Sequence, residues 1–327
     1  PHGRMPATVE AYENYLQGQY FFHRRTSGDV ERSAGYYEDA VAMDPGYARA
    51  WAALAGAYSV LAYDDPKSAG VLLDKQFKAA SKAVALDPTL AEAHARLARF
   101  YYWTNNIAAG RRHSQLAATL DPDNPLVLGG MADAAMTRGD FESAIDSWRR
   151  SIARDPLATP ARINLALTLA ADGQLDEALP ELRKVMDLRA DNSPDIKLEI
   201  VRVLILSGRF DEAQSELATI PAGKFRDQGL ALLYELPARR AEAVAALERL
   251  AAAEAMDTRD AIRLADAYSN RGMREQAFAV LQASKKDSAH NRIFGVETAW
   301  SFRADLRIAP FLKPLHSDPR WDELVAP

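Results

Sequence analysis

Apolar positions in this chain fall into short helical series separated by turn residues. Within 125–158, Leu128, Met131, Ala132 and Ala135 recur at helical spacing and stop at Gly139-Asp140. A glycine there can take the positive φ that ends a helix. A second series, Phe141, Ala144, Ile145, Trp148 and Ile152, then runs to Asp155-Pro156. Proline cannot continue the hydrogen-bonding ladder and biases the residue before it away from helix, so the second helix ends there. The unit is two helices and two turns.

The unit recurs. Asp87-Pro88, Asp121-Pro122 and Asp155-Pro156 place prolines at 88, 122 and 156, 34 residues apart each time. The same offset carries Leu97 to Met131 to Leu165, Ala98 to Ala132 to Ala166, and Gly139 to Gly173. A period of this length is too short for a domain, and each unit buries its apolar faces only against its neighbours.

These residues resemble tetratricopeptide repeats. A repeat starting at Ala91 puts His94, Leu97, Ala98, Tyr101, Gly110, Ser114, Ala117 and Pro122 at the positions that define the family pattern. The next gives Leu128, Met131, Ala132, Ala135, Ala144, Trp148, Ser151 and Pro156. The one from Thr159 gives Arg162, Leu165, Ala166, Leu169, Ala178, Leu182 and Val185, with Ala190 in place of the proline. The fold class this implies is all-α, a right-handed superhelical solenoid of helix-turn-helix repeats with a C-terminal capping segment.

Taken in order, residues 1–5 (Pro-His-Gly-Arg-Met) read as a tag remnant, and the rest as a piece of a longer protein. Residues 6–290 read as one continuous superhelix of about eight repeats, and 291–327 as the cap. The first unit has a helix from Val9 to Arg24, an extra loop from His23 to Asp29, and a helix from Val30 to Met43. The second closes at Pro88, 43 residues after Pro45, so the frame holds nine extra residues, expected as a loop near 63–70. A unit near Pro194 turns at Gly208, and 224–257 is degenerate, with a stop at Pro237 and an alanine-rich helix over 239–255. Register returns from Thr258. In the tail, a helix with Phe294, Trp300 and Phe302 precedes a proline-rich turn, and Asp318-Pro319 opens a last short helix.

Composition narrows the chemistry. With 48% apolar and 26% charged residues the chain can bury a core, and a net charge of −5 gives no bulk attraction to nucleic acid or anionic lipid. Absence of cysteine removes disulfides, thiolate catalysis and zinc–thiolate sites. No apolar run reaches the roughly 18 residues of a membrane span. No glycine-rich phosphate loop, nucleophile elbow or zinc-protease helix occurs. His94 falls on a helix-interface position near His113, while His23 and His316 read as surface residues. Neither catalytic residues nor a cofactor or metal is expected.

Both ends of the chain resemble the C-terminal repeat region of bacterial membrane-anchored regulators. The residues concerned are Ala11 to Gly18, the His23-Arg24-Arg25-Thr26 loop before Tyr36-Tyr37-Glu38-Asp39-Ala40, and Pro314 to Trp321. Some of these regulators carry a ToxR-type winged-helix domain, others a class III nucleotide cyclase domain. That resemblance implies an extracytoplasmic sensor or interaction region that neither binds DNA nor turns over nucleotide. A cytoplasmic adaptor or oligomerisation scaffold, including pairing with a second copy, is the other reading. The tetratricopeptide pattern implies a protein or peptide ligand held by inward-facing residues of first helices. Carried over by register, these are Arg99, Tyr102, Trp103, Asp133, Met136, Leu167 and Arg202. Family members that clamp acidic C-termini use lysine, asparagine and arginine there, whereas the fifth positions here are Ala52, Ala95, Gly129 and Ile163.

Circular dichroism is therefore expected to show mainly helix, and appreciable strand content would contradict the periodicity. Duplex DNA should bind no better than a neutral control at physiological salt; a tight, salt-sensitive complex would contradict the charge argument. Calorimetry with acidic C-terminal peptides should show no measurable binding, and a micromolar complex would overturn the register used above.

Overall fold

The computed structural model describes residues 6–24, 28–64, 68–104, 106–189, 192–253, 256–290, 306 and 309–325. Among them are seventeen α-helices and no strand. The chain divides into two compact units, one holding the residues up to Ala132 with Asp146–Thr159, the other holding Asp133–Ile145, Pro160–Asn291 and the C-terminal segment.

The first unit is built from α1 (Val9–Arg24), α2 (Asp29–Met43), α3 (Ala48–Asp64), α4 (Ala69–Leu86), α5 (Ala91–Trp103) and α6 (Ile107–Leu120). Residues of α7 (Pro125–Arg138) and α8 (Phe141–Arg154) complete it. One turn ends α2, α4, α6 and α8. The aspartate carbonyl accepts from the N–H three residues on, in Asp44–Tyr47 (3.0 Å), Asp87–Leu90 (3.2 Å), Asp121–Asn124 (3.1 Å) and Asp155–Ala158 (3.1 Å). In three of these the carboxylate also accepts from the N–H two residues on, at Gly46 (3.0 Å), Thr89 (2.9 Å) and Leu157 (3.2 Å). Proline takes the second place because its φ is already set and it has no N–H to leave unbonded.

The turn inside a repeat is of another kind. Gly139 and Gly173 stand at φ 77° and 92°. The N–H of Asp140 bonds back to Ala135 and that of Gln174 to Leu169, closing the ends of α7 and α9 (Thr159–Asp172). Any side chain at those glycines would be strained.

Small residues set the helix spacing in the first unit. Tyr37 is 1% exposed, among Ala40, Ala50, Ala53, Leu54, Ala57 and Leu97. A Cβ on Gly18 would lie 2.5 Å from the Tyr37 ring, so α1 reaches α2 only because position 18 has no side chain. The Gly18 carbonyl accepts from Ser33 Oγ at 2.9 Å. Arg24 forks onto buried Asp29 at 2.8 and 2.7 Å, tying the end of α1 to the start of α2.

The nine extra residues of the second repeat do not form the expected loop over 63–70. Tyr63 and Asp64 end α3, and Ala69 and Gly70 begin α4. The two helices, of 17 and 18 residues, absorb most of the insertion by lengthening. Residues 62–64 and 69–72 contain no proline, and added helical turns keep their backbone groups bonded where a loop would expose them. Residues 65–67 lie outside the described residues.

The second unit contains α9, α10 (Leu175–Arg189), α11 (Pro194–Leu206), α12 (Phe210–Ala218), α13 (Lys224–Leu232), α14 (Arg240–Ala251), α15 (Thr258–Asn270) and α16 (Arg274–His290). The alanine-rich helix expected over 239–255 is shorter than its composition suggests. Pro237–Arg239 form a 3₁₀ turn, α14 starts at Arg240, and Ala252 caps it. The tail helix expected around Phe294, Trp300 and Phe302 lies outside the described residues.

The C-terminal segment comprises a 3₁₀ turn, Pro310–Leu315, and α17 (Pro319–Val325). Leu306, Ala309, Leu312, Leu315, Trp321 and Leu324 pack against Ile262, Ala265, Ala277, Phe278 and Leu281 of α15 and α16. Cations fasten it. Arg320 lies over the Phe278 ring at 4.1 Å and forks onto Glu275 at 2.8 and 2.9 Å. Lys285 donates to the carbonyls of Glu323 (2.6 Å) and Leu324 (3.4 Å), where the dipole of α17 favours positive charge. Hydrogen bonding to Arg320 pushes the Asp318 carboxyl down from 3.8 to about 2.

Gly18→Val should destabilise the protein by about 1–3 kcal/mol through forced displacement of Tyr37, read as a lowered Tm. Trp321→Ala should cost about 3–5 kcal/mol, since the indole is 5% exposed in the terminal cluster. Asp318 has a depressed pKa, so its contribution is present above 3.8 and fades as pH falls towards about 2. An Asp318→Asn variant should therefore melt below the wild type at neutral pH and converge with it only near pH 2.

Candidate partner-binding site

In the first unit α5 presents three of the residues expected to face a partner. Arg99 is exposed, and its guanidinium lies 5.3 Å from the centre of the Trp103 ring. Trp103 is half-buried and packs, with Ala69, Leu72 and Phe100, on Ala62 and Leu73. The lengthened α3 and α4 supply this support. Tyr102 is half-buried against Gly110 of α6, where a Cβ would come within 2.7 Å of its ring. One indole thus has one face propped by aliphatic side chains and an exposed cation held against it.

Of the four residues in the second unit, two are open enough to meet a partner. Asp133 and Leu167 are half-buried. Met136 is not available: it is 5% exposed, and its sulfur accepts from Thr168 Oγ1 at 3.5 Å. A long apolar side chain at the neck of a helix pair fills the gap between helices before it offers itself to solvent.

Arg202 must also be withdrawn as a partner contact. It is 3% exposed, donating from Nη2 to Asp266 Oδ2 at 2.7 Å, with Nε 3.3 Å from Glu199. Arg263 pairs with Glu199 and lies 3.5 Å from Asp266. The Phe311 ring lies 4.9 Å from the Arg202 guanidinium. Burial, then the neighbouring Arg202, holds the Arg263 guanidinium below its ordinary pKa, against the opposing pull of Glu199 and Asp266. Two cations and two anions neutralise one another here. A charged residue on an inward position reads as a ligand contact only while its partner, 64 residues further on, is unseen.

Sequence reasoning missed Arg96. It is 7% exposed, pairs with Glu92 at 3.2 Å, and lies over Gly56 so closely that a Cβ there would come within 2.5 Å of Cζ. The glycine at 56 was its only sequence signal. Of the fifth positions, Ala52 is fully buried and Gly129 faces the Trp148 ring.

The histidines are placed as follows. His94 is buried and meets half-buried His113, with Nδ1 atoms 3.0 Å apart. His23 lies 3.6 Å from Asp155. His316 is exposed and stacks on Trp321, ring centres 4.1 Å apart. Among the described residues no three of His, Cys, Asp and Glu converge as a metal site would require. A cleft of about 380 Å³ in the second unit is lined by Tyr234, Leu247, Tyr268, Arg271 and Met273. Arg271 is committed to the carbonyls of Ala231 (3.2 Å) and Ala243 (2.7 Å).

Removing one member of the buried charge cluster strands the others. Asp266→Asn or Arg202→Met should each cost about 3–5 kcal/mol, whereas replacing the cluster with apolar side chains of similar volume should recover most of it. Chemical denaturation of the variants decides this, and single variants as stable as wild type would mean the cluster is solvated.

Residues 130–195 and 169–234 each match a tetratricopeptide repeat family model. No curated protein matches the chain. Among solved structures, the human IFIT1 dimer with m7Gppp-AAAA is 13% identical, covering 85% of this chain and 72% of its own at a TM-score of 0.54. A monomeric IFIT1 mutant with Gppp-AAAA gives 13% identity, 84% and 71% coverage and the same TM-score. PilF of Pseudomonas aeruginosa is 18% identical over 60% of this chain and 90% of its own, at 0.47. At these identities the likeness concerns fold alone. Residues 130–234 thus carry tetratricopeptide repeats, built as helix pairs closed by glycine and Asp-Pro turns.

Proposed function

We propose that the chain is a non-catalytic module that captures a protein or peptide partner, with the Arg99, Tyr102 and Trp103 face of α5 as the contact surface of the first unit. The observation that carries this is the half-exposed Trp103 indole, supported from behind by Ala62 and Leu73 and topped by the exposed Arg99 guanidinium. Rigid aromatic groups with an adjacent arginine are the side chains that dominate partner-binding energy, because they bury large areas at low entropic cost. Within the second unit, taken by itself, Asp133 and Leu167 are proposed as partner contacts.

We further propose that the module serves as the extracytoplasmic sensor region of a bacterial membrane-anchored transcriptional regulator. The resemblance of its two ends to such regulators supports this. The coding sequence upstream tests it. A membrane segment preceded by a winged-helix domain is expected. A cyclase domain there, or a start in the cytosol with neither, would overturn the regulator reading.

The contact surface is tested by selecting displayed random peptides on the wild-type protein. Selected peptides should lose about tenfold or more in affinity with Arg99→Ala, a change that leaves stability within about 0.5 kcal/mol because the side chain is exposed. Trp103→Ala should weaken the same peptides and also cost about 1–2 kcal/mol of stability through its packing on Leu73. Peptides that bind Arg99→Ala and Trp103→Ala as tightly as wild type would move the site elsewhere.

A further inference from the structure

Two buried or half-buried histidines meet where α5 packs on α6; His94 holds a pattern position that needs only a large packing side chain, and His113 holds none. His94 Nδ1 and His113 Nδ1 are 3.0 Å apart, and His94 Nε2 is 2.9 Å from the Pro88 carbonyl. A carbonyl only accepts, so His94 carries its proton on Nε2 and offers a lone pair at Nδ1. His113 must then donate from its own Nδ1. The ring centres are 5.2 Å apart, and this separation with a 3.0 Å nitrogen contact places the two nitrogens nearly on the line joining the rings. The arrangement is satisfied with both rings neutral and tolerates one added proton on the far nitrogen of His113. Two added protons would set N–H against N–H across 3.0 Å.

We propose that the His94–His113 pair is an acid-sensitive latch that holds α6 against α5. Closed, the pair accepts at most one proton; opened, it accepts two. Acid therefore favours the open form.

Among the described residues, neither ring pairs with a carboxylate. His113 stacks on Tyr101, ring centres 5.5 Å apart. Burial first, then His94 and Arg112, lowers the His113 pKa from its ordinary value. The nearest carboxylates along the chain are engaged elsewhere, Asp87 with Thr89 and Glu92 with Arg96. On the helices packed against α5, Asp74, Lys75, Lys78 and Lys82 of α4 and Arg49 of α3 are exposed to solvent. For a group with a depressed pKa, stability is present above the unfolded value, about 6.5 for histidine, and declines as pH falls below it.

The latch lies next to the proposed contact surface. Tyr101 packs on His113 and Tyr102 on Gly110, so two successive residues of α5 rest on α6 immediately before Trp103. Release of α6 removes the wall behind Tyr102. This consequence for partner capture rests on the function proposed above, whereas the latch itself does not.

The test needs no partner. Histidine proton resonances of the full chain, followed from about pH 8 to 4, should show His113 titrating below ordinary histidine, because burial first and then His94 and Arg112 disfavour its charged form. Amide exchange over 107–117, corrected for its intrinsic pH dependence, should accelerate at least tenfold from about pH 7.5 to 5 in the wild type and stay flat in His113→Gln and His94→Gln. A His113 titration at or above the ordinary histidine value, or equal acceleration in the variants, would overturn the latch. Loss of peptide binding by Arg99→Ala would be unaffected either way.

Discussion

An aspartate that bonds both its carbonyl and its carboxylate to the turn beyond it, followed by a proline with no N–H to satisfy, is the constraint on which the repeats depend. Asp44, Asp87 and Asp155 all do this, and Asp121 makes the backbone half. Each turn fixes where one helix pair stops and the next begins. A single pair could not bury its apolar face, so the position of these turns decides which side chains become core. The alanines then let the helices close up: Ala40, Ala80, Ala83, Ala132, Ala144, Ala166 and Ala178 are fully buried. Where approach is closer still, only glycine serves, as Gly18 does beneath Tyr37.

This division explains what could be read in advance. Turn residues and small residues act through backbone geometry and local sterics, which the sequence displays directly. Boundaries such as Val9–Arg24 and Phe141–Arg154 follow from them. The insertion between α3 and α4 was countable but not placeable, because helix lengthening and loop growth add the same number of residues. The difference lies in whether 62–64 and 69–72 can keep their backbone bonded, and nothing in their composition prevents it.

The candidate site was less legible for another reason. Register tells which residues share one face of a first helix, and of these Arg99 is exposed. It cannot tell whether an inward residue meets solvent or another inward residue. Met136 meets Thr168, and Arg202 meets Asp266, across distances along the chain that periodicity does not span. Arg96 shows the converse, a buried guanidinium whose room is made by Gly56 in the preceding repeat. His94 and His113 could be placed on one helix pair, yet their in-line contact needs coordinates.

The Arg202 cluster bears on how this polypeptide leaves the ribosome. Helix α11 is synthesised with Glu199 and Arg202 on one face, but Arg263 and Asp266 arrive 64 residues later and Phe311 later still. Until then Arg202 has no acceptor from α15, and water remains its better environment. Domains generally form as units during synthesis, and here the charge arrangement ties final closure of α11 to the emergence of nearly the whole C-terminal third. A chain stalled before Asp266 would keep α11 hydrated on that face.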